Sequence, residues 1–210
     1  MVIAIDGPAG SGKSTIARKI ARDLGWYFLN TGSFYRAYTL AQLDRNLDPL
    51  DKDSVLETAR NTLITVEEGN ICINGVNVED KLHTPLVDKY ASPVSSDPRL
   101  RERVTDEVRK LAGNMNIVTE GRDTTTVIFP NAEYKFYFDA SPEVRAKRRL
   151  SEQPELKYEE VLEGILKRDK NDKEKPVGAL KIAENAIYVD TTNLTIDGVC
   201  EKVYSAMQKH

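Results

Sequence analysis

A glycine-rich stretch near the start of the chain carries the residues best suited to chemistry. It reads GPAGSGKST over 7–15 and matches G-x-x-x-x-G-K-[S/T] through Gly7, Gly12, Lys13 and Ser14. An apolar run precedes it and good helix formers follow, so the glycines can turn backbone N–H groups inward at the amino end of a helix. In such a loop the lysine reaches the β- and γ-phosphates and the serine ligates Mg²⁺. The sequence therefore predicts a nucleoside triphosphate site.

Three classes of protein use such a loop, and they differ in what becomes of the terminal phosphate. They are switch or motor GTPases, mechanical ATPases and kinases of small molecules. GTP switches usually carry the strings D-x-x-G and N-K-x-D, and neither string occurs in this sequence. A kinase also needs a cationic site for its acceptor and a way to keep water from the phosphoryl group. A second cationic site would therefore favour the kinase class.

Arginines that follow predicted strands are candidates for this second site. The segment NTGSFYR puts Thr31 at a predicted helix N-cap and Arg36 in the first turns of that helix. The segment TEGRD puts Arg122 and Asp123 at the end of another strand. A surface ion pair of Arg36 and a simple turn at Arg122 are the alternative interpretations.

A third basic segment, RAKRR, places Arg145, Arg148 and Arg149 on one side of a predicted helix. A solvated basic face would explain this pattern equally well in isolation. Next to a phosphate-binding loop, arginines that close over phosphates are the favoured interpretation.

Apolar runs of strand length alternate with segments of helical spacing. The runs are 2–6, 26–30, 116–120, 134–139 and 186–190, and the helical segments are 13–24, 33–45, 97–112, 142–150, 157–171 and 195–208. Continuous apolar runs suit strands that are covered on both faces, and the alternation predicts an α/β fold with a parallel sheet. Ligands of such folds gather at the carboxyl ends of the strands. Those ends are Asp6, Asn30, Glu120, Asp139 and Asp190.

One region breaks this alternation. Residues 63–80 contain short β-type runs separated by EGN and NG, which are hairpin signals. The pattern predicts a small β-rich insertion within the α/β domain. An inert surface flap is the alternative to a functional insertion.

Composition and net charge limit the class of protein and the partners that the chain can have. The 210 residues are 40% hydrophobic and 30% charged, which suits one soluble domain, and the net charge of −3 offers no overall attraction to nucleic acid or to a membrane surface. Cys72 and Cys200 lie far apart without metal-type spacing, and we interpret them as reduced thiols. Nothing resembles a signal peptide or a membrane span. We therefore expect a cytoplasmic monomer that binds small molecules, with neither nucleic acid nor membrane as a partner.

Several stretches together resemble cytidylate kinases of the bacterial type. They are IAIDGPAGSGKST, NTGSFYRA, TPLV, VSSDPRLRE, TEGRDTTTVIFP, FDASPEVRAKRR, ILKRDKND and AIYVDTTNLT, and they run through nearly the whole chain. The resemblance implies a P-loop NTPase fold, with three α/β/α layers around a five-stranded parallel sheet, a small β-rich insertion and a helical lid. It also implies a Mg²⁺-dependent enzyme that passes the γ-phosphate of ATP to CMP or dCMP.

The same resemblance implies how a single kinase domain over 1–210 is divided. Residues 1–30 and 98–210 would form the core, and 31–97 would form an insertion that binds the acceptor nucleotide. Residues 146–158 would form the lid within the core span.

Carried over position by position, the resemblance assigns roles to individual residues. The implied ATP-binding residues are Gly7, Pro8, Ala9, Gly10, Ser11, Gly12, Lys13, Ser14 and Thr15, with Ser14 as the metal ligand. The implied CMP-binding residues are Thr31, Arg36, Ser92, Arg101, Arg122, Asp123, Arg168, Asp172 and Lys175. The implied catalytic residues are Lys13, Arg122, Arg145 and Arg149, the last two on the mobile lid.

Within the CMP site the resemblance separates three tasks. Ser92, Arg101 and Asp123 would read the base, Arg36 and Arg122 would hold the acceptor phosphate, and Arg168 and Asp172 would hold the sugar. The base-reading set fits cytosine, whose amino group donates to a carboxylate while its N3 and O2 accept from a hydroxyl and a guanidinium. Uracil presents an acceptor where the carboxylate needs a donor.

This chain departs from the family pattern at three places. Lys175 stands where the family typically has an arginine on the acceptor phosphate, and a lysine supplies charge without a two-pronged contact. Thr124 and Thr125 stand where an apolar residue and a glycine are usual, so the backbone after Asp123 is expected to differ. His83 stands where an arginine is common, and we predict a surface histidine there.

Overall fold

The computed structural model describes residues 1–67, 69–113 and 115–208. Its central sheet has five strands in the order β2-β6-β1-β7-β8. They are β1 (Val2–Asp6), β2 (Tyr27–Asn30), β6 (Ile117–Gly121), β7 (Tyr134–Asp139) and β8 (Ile187–Asp190). The pairs β1–β6, β1–β7 and β7–β8 are parallel. This sheet confirms the predicted α/β class, and each strand lies within two residues of its predicted position.

The register of the sheet brings strand ends together at one edge. Asp6 pairs with both Gly121 and Tyr137, and Asp139 pairs with Asp190. The carboxyl ends of parallel strands meet there, which is the edge where α/β folds bind ligands. The polar residues predicted at the strand ends therefore lie along one edge of the sheet.

Two helices cover one face of the sheet with apolar side chains. They are α1 (Lys13–Leu24) and α8 (Ile196–Met207). Ile16 and Ile20 of α1 and Val203 of α8 are buried in one cluster with Ile3 and Phe136 of the sheet. Burying an aliphatic side chain of this size contributes about 1.5–3 kcal/mol each, so this cluster anchors the start of α1 firmly to β1.

The described residues divide into two compact units. One contains Met1–Phe28 and Asn114–His210, and the other contains Leu29–Gly113. The first unit also holds a short π-helical turn (Thr124–Ile128), α6 (Pro142–Glu152) and α7 (Tyr158–Glu174). Both α6 and the π-helical turn follow directly on the carboxyl ends of strands.

The second unit combines helices with the predicted β-rich insertion. Its elements are α2 (Thr31–Leu43), α3 (Lys52–Arg60), β3 (Ile64–Glu67), β4 (Asn70–Ile73), β5 (Val76–Asn77), a 3₁₀ turn (Glu79–Lys81), α4 (Pro85–Val94) and α5 (Pro98–Ala112). The strands β3, β4 and β5 form an antiparallel three-stranded sheet. This sheet confirms the hairpins predicted over 63–80.

The structure differs from the sequence predictions in three details. The helices α3 and α4 were not predicted. The unit boundary after Gly113 places α5 in the second unit, whereas 98–112 was assigned to the core, because α5 packs on α2 and α3. The N-cap of α2 is Asn30 rather than Thr31, since the extended Asn30 accepts a hydrogen bond from the Gly32 N–H at 2.9 Å.

Across the described ranges, no helix combines the length and the apolar character needed to cross a membrane.

Candidate active site

The loop between β1 and α1 has the backbone shape that a phosphate requires. Gly7 has φ of +152°, and a Cβ atom there would lie 1.9 Å from the carbonyl oxygen of Phe138. Gly12 has φ of +88° and stands in the left-handed region just before α1. Glycine is needed at both positions, by close approach at Gly7 and by backbone conformation at Gly12. The loop is thereby wrapped tightly at the amino end of a helix, as predicted.

Donors from elsewhere in the same unit hold the outward carbonyls of this loop. Nη1 of Arg145 donates to the oxygen of Ala9 at 3.1 Å, and Oγ1 of Thr191 donates to the oxygen of Ser11 at 3.1 Å. A trans peptide is planar, so holding these carbonyls turns the N–H groups of the following residues the other way. The loop therefore presents amides on its opposite side, where they can bind an anion.

Lys13 is the first residue of α1, and its side chain folds back into the loop. Its Nζ donates to the carbonyl oxygen of Pro8 at 2.7 Å, and the residue is only 4% exposed. Burial lowers the pKa of Lys13 to about 7, and the positive charge of Arg122 acts in the same direction. The ammonium is thus poorly solvated where it stands, which favours an anionic partner.

Ser14 meets a carboxylate that the sequence analysis placed at a strand end but did not assign to the site. Its hydroxyl donates to Oε1 of Glu120 at 2.8 Å, and Glu120 is buried at the end of β6. Hydroxyl and carboxylate oxygens suit Mg²⁺, which keeps waters and substrate phosphates as its other ligands. The described residues contain no group of three His, Cys, Asp or Glu side chains that could hold a metal alone. The donors fit an ion that arrives with a nucleotide.

Asp172 of α7 gathers predicted acceptor-binding cations around one buried carboxylate. Nε of Arg122 donates to it at 2.9 Å, Nζ of Lys175 lies at 3.0 Å, and Nε of Arg168 lies at 3.9 Å. Burial acts to raise the pKa of Asp172, but the nearby charges of Arg122 and Lys175 outweigh it and lower that pKa. The structure thus brings together four predicted CMP-binding residues, with a net excess of positive charge suited to a phosphate.

Asp123 lies at the start of the π-helical turn, and its side chain is buried. Burial raises the pKa of Asp6, and the nearby negative charge of Asp123 adds a smaller effect in the same direction. Asp6 in turn accepts hydrogen bonds from the two threonines that follow Asp123. The predicted base-reading carboxylate is therefore withdrawn from bulk water, within electrostatic range of the strand end that precedes the loop.

The remaining predicted CMP-binding residues belong to the second unit. Arg36 donates to the carbonyl oxygen of Leu82 at 2.9 Å and pairs with Asp88. Arg101 is buried, donates to the oxygen of Ser95 at 3.0 Å and lies 5.2 Å from the ring centre of Tyr35. The ion pair of Arg36 with Asp88 agrees with the alternative interpretation of this arginine, a surface ion pair.

Thr31, Ser92 and His83 also belong to the second unit. Thr31 is buried in the first turn of α2, and Ser92 is exposed on α4. His83 is exposed, as predicted.

The two arginines assigned to the lid occupy different environments. Arg145 is 2% exposed at its side chain and donates to Asp169 through both terminal nitrogens, one of them at 2.9 Å. Arg149 is half-exposed and lies 3.7 Å from Glu152. The Arg145 guanidinium is enclosed, whereas that of Arg149 is open to solvent. Arg145 links the phosphate loop to α7, because α6 and α7 pack side by side.

Sequence similarity to known proteins extends over nearly the whole chain. A family model described as cytidylate kinase matches residues 3–209. The chain belongs to the cytidylate kinase family. The cytidylate kinase of Caldanaerobacter subterraneus subsp. tengcongensis is 43% identical over 212 aligned positions, covering 99% of this chain and 95% of that protein. The cytidylate kinase of Clostridium perfringens strain 13 is 39% identical and covers 100% of this chain and 98% of its own.

Solved structures with the same fold are more distant in sequence. A shikimate kinase from Bacteroides thetaiotaomicron aligns over 99% of this chain and 98% of its own, with a TM-score of 0.51 and 13% identity. An uncharacterised protein from Eubacterium ventriosum aligns over 100% of this chain and 99% of its own, with a TM-score of 0.57 and 14% identity. These likenesses concern the fold, and the family membership of this chain rests on its sequence.

Proposed function

We propose that this member of the cytidylate kinase family transfers the γ-phosphate of ATP to CMP or dCMP, giving CDP or dCDP and ADP. One observation carries the proposal in the structure. Beyond the effect of burial, the positive charges of Arg122 and Arg168 lower the pKa of Lys13. Both arginines belong to the cluster around Asp172. A phosphate loop and a second cationic site therefore lie within electrostatic range of one another in one compact unit, which is what phosphoryl transfer between two nucleotides needs.

The reaction asks for position and charge rather than for a covalent intermediate. An oxygen of the acceptor phosphate attacks the γ-phosphorus in line, and negative charge spreads over the oxygens in transfer. Lys13 and the loop amides would hold that charge, and Arg122 and Lys175 would orient the acceptor phosphate. No general base is proposed.

Ser14 would hold Mg²⁺ directly, and Glu120 would orient the Ser14 hydroxyl and any metal-bound water. When bound, Mg²⁺ neutralises charge on the β- and γ-phosphates. Removing it with a chelator is expected to abolish transfer.

Base choice is proposed to depend on Asp123 together with Ser92 and Arg101. A buried carboxylate that accepts from the cytosine amino group is left without a donor when uracil takes its place. Sites built on such a match reject the wrong ligand by about four to five orders of magnitude in the best cases.

The sugar is proposed to be held by Arg168 and Asp172. The predicted lid over 146–158 and the predicted cytoplasmic, monomeric state remain predictions.

A panel of acceptors tests this proposal against its alternatives. ADP release is followed with purified protein, ATP and Mg²⁺ while CMP, dCMP, UMP or AMP is added in turn. The proposal predicts rapid release with CMP or dCMP and slow release with UMP and AMP. Equal rates with UMP or AMP would indicate a kinase with a different base choice. ADP release that no acceptor stimulates would indicate a nucleotide-binding protein of another class.

A further inference from the structure

The carboxylate of Asp6 connects the phosphate loop to the base-reading turn. Asp6 is the last residue of β1, directly before Gly7, and its side chain is 0% exposed. Its Oδ1 accepts from the N–H of Thr124 at 2.9 Å. Its Oδ2 accepts from the N–H of Thr125 at 2.7 Å and from Oγ1 of Thr125 at 2.6 Å. One buried carboxylate therefore fixes both amides that follow Asp123.

Two adjacent threonines contribute unequally to this arrangement. Both are buried in the π-helical turn, Thr124 at 0% and Thr125 at 1% exposure. The hydroxyl of Thr125 donates to Asp6, whereas Oγ1 of Thr124 finds no hydrogen-bond partner among the described residues. The two hydroxyls are otherwise chemically alike, so they form a natural matched pair.

We propose that Thr125 is a positioning residue for acceptor choice, and that its hydroxyl, through Asp6, sets the place of the Asp123 carboxylate relative to the phosphate loop. This inference rests on the proposed function, because it concerns the reading of the cytosine base. The hydroxyl acts through the backbone: the peptide that joins Asp123 to Thr124 is planar and ends in an N–H bound to Asp6. A change in the Asp6 carboxylate therefore shifts Asp123 directly.

The physical reason is that a buried carboxylate needs each of its donors. Removing the Thr125 hydroxyl leaves an oxygen of Asp6 without its shortest hydrogen bond in a dry environment. Oδ2 would keep only the N–H of Thr125 at 2.7 Å, and we expect the carboxylate or the turn to shift as it replaces the lost donor. A displacement of about 1 Å of a group that reacts or that binds the base can lower the rate roughly a hundredfold, so even part of that movement is measurable.

The test compares Thr125→Val, Thr125→Ser and Thr124→Val with the wild-type chain. For each protein, kcat/KM is measured with CMP and with UMP at saturating ATP and Mg²⁺, together with KM for ATP. The ratio of the two kcat/KM values does not depend on how much of the sample is folded, so a loss of stability alone leaves it unchanged. Thermal unfolding is recorded in parallel to report that loss.

We expect Thr125→Val to lower the preference for CMP over UMP by about tenfold or more and to leave KM for ATP unchanged. Thr125→Ser keeps the hydroxyl and should retain at least half of the wild-type preference. Thr124→Val removes a hydroxyl without a partner and should keep the wild-type preference.

Two results would overturn the inference alone, given a wild-type protein that prefers CMP. One is a wild-type preference in Thr125→Val. The other is an equal loss in Thr124→Val, which would assign the effect to packing of the turn. A wild-type protein with no preference for CMP would overturn the proposed function and this inference together.

Discussion

The hydroxyl of Ser14 donates to Oε1 of Glu120 at 2.8 Å, which joins the first turn of α1 to the end of β6. These residues lie 106 positions apart in the chain and meet because β1 and β6 are neighbours in the sheet. A serine in this position of a phosphate loop is the expected Mg²⁺ ligand, so its carboxylate partner is placed to orient the metal.

Replacing Glu120 by Gln should therefore weaken the response to Mg²⁺. We expect the Mg²⁺ concentration for half-maximal activity to rise roughly ten- to hundredfold, as is typical when a residue that orients a metal ligand is changed. Activity is measured over a range of Mg²⁺ concentrations at fixed ATP. Glu57→Gln, at an exposed position on α3, is the control and should behave as the wild type. An unaltered Mg²⁺ response in Glu120→Gln would remove Glu120 from the metal site.

Replacing Lys13 by Ala should nearly abolish transfer while the protein stays folded. Loss of a group that stabilises developing charge is worth roughly 3–4 kcal/mol, or about a hundred- to thousandfold in kcat. The fold should persist, since burial already disfavours the charged form of Lys13 and the helix core is formed by other residues. Circular dichroism reports the fold, and steady-state kinetics report the loss. Lys19→Ala changes a more exposed lysine further along α1, and this variant should retain activity.

The lowered pKa of Lys13 predicts a pH dependence of ATP binding. Its pKa is about 7 in the folded protein, so above pH 7 the side chain is mostly neutral and must take up a proton to face a triphosphate. ATP affinity should then fall by up to about tenfold per pH unit above 7. Titration calorimetry at pH 8 in buffers of different ionisation enthalpy counts the protons taken up, which should approach one. No net uptake, with an affinity that stays flat from pH 7 to 9, would show that Lys13 is already charged.

The lowered pKa of Lys13 also predicts how the stability of the folded protein changes with pH. The unfolded chain binds the Lys13 proton up to its ordinary pKa of 10.5, and the folded chain releases it near 7. Between those values the unfolded state holds more protons, so this group makes the folded state more stable as the pH rises. Lys13→Ala should lack this contribution, which urea unfolding at pH 7 and pH 9 would reveal.

Replacing Asp172 by Asn should weaken both stability and acceptor binding. The buried carboxylate neutralises part of the charge of Arg122 and Lys175, and breaking such a buried arrangement typically lowers stability by about 3 kcal/mol. We also expect KM for CMP to rise more than KM for ATP. The lowered pKa of Asp172 means that its stabilisation is present above the ordinary Asp range and is lost as the pH falls below it. Wild type and variant should therefore converge in urea unfolding at acid pH, and a constant difference would contradict this role.

Much of the fold could be predicted from local patterns. The five strands are continuous apolar runs that end in polar residues, and they lie where the sequence places them. The helix α3 was missed although Asp51 caps it and Val55, Leu56 and Ala59 form its buried side, because its short segment is strongly polar elsewhere. The helix α4 was missed because Pro93 lies inside it, which argues against a helix in any local reading.

The candidate site was less predictable where contacts are distant in the chain. The sequence favours Arg145 as an arginine that closes over phosphates, and only the packing of α6 on α7 reveals Asp169 as its partner. Glu120 looks like any polar strand end until β6 takes its place beside β1. Thr125 gives no local signal of its bond to Asp6, which lies 119 residues away. Sequence patterns located the reactive loop, and the sheet order decided which side chains support it.

The most direct test follows the γ-phosphate itself. ATP labelled at its γ-position is incubated with the purified chain, Mg²⁺ and CMP, and the labelled products are separated. The account predicts that the label appears in CDP, in step with ADP formation, and that Lys13→Ala removes this product. Label that appears only as inorganic phosphate, or that remains in ATP when CMP is added, would contradict it.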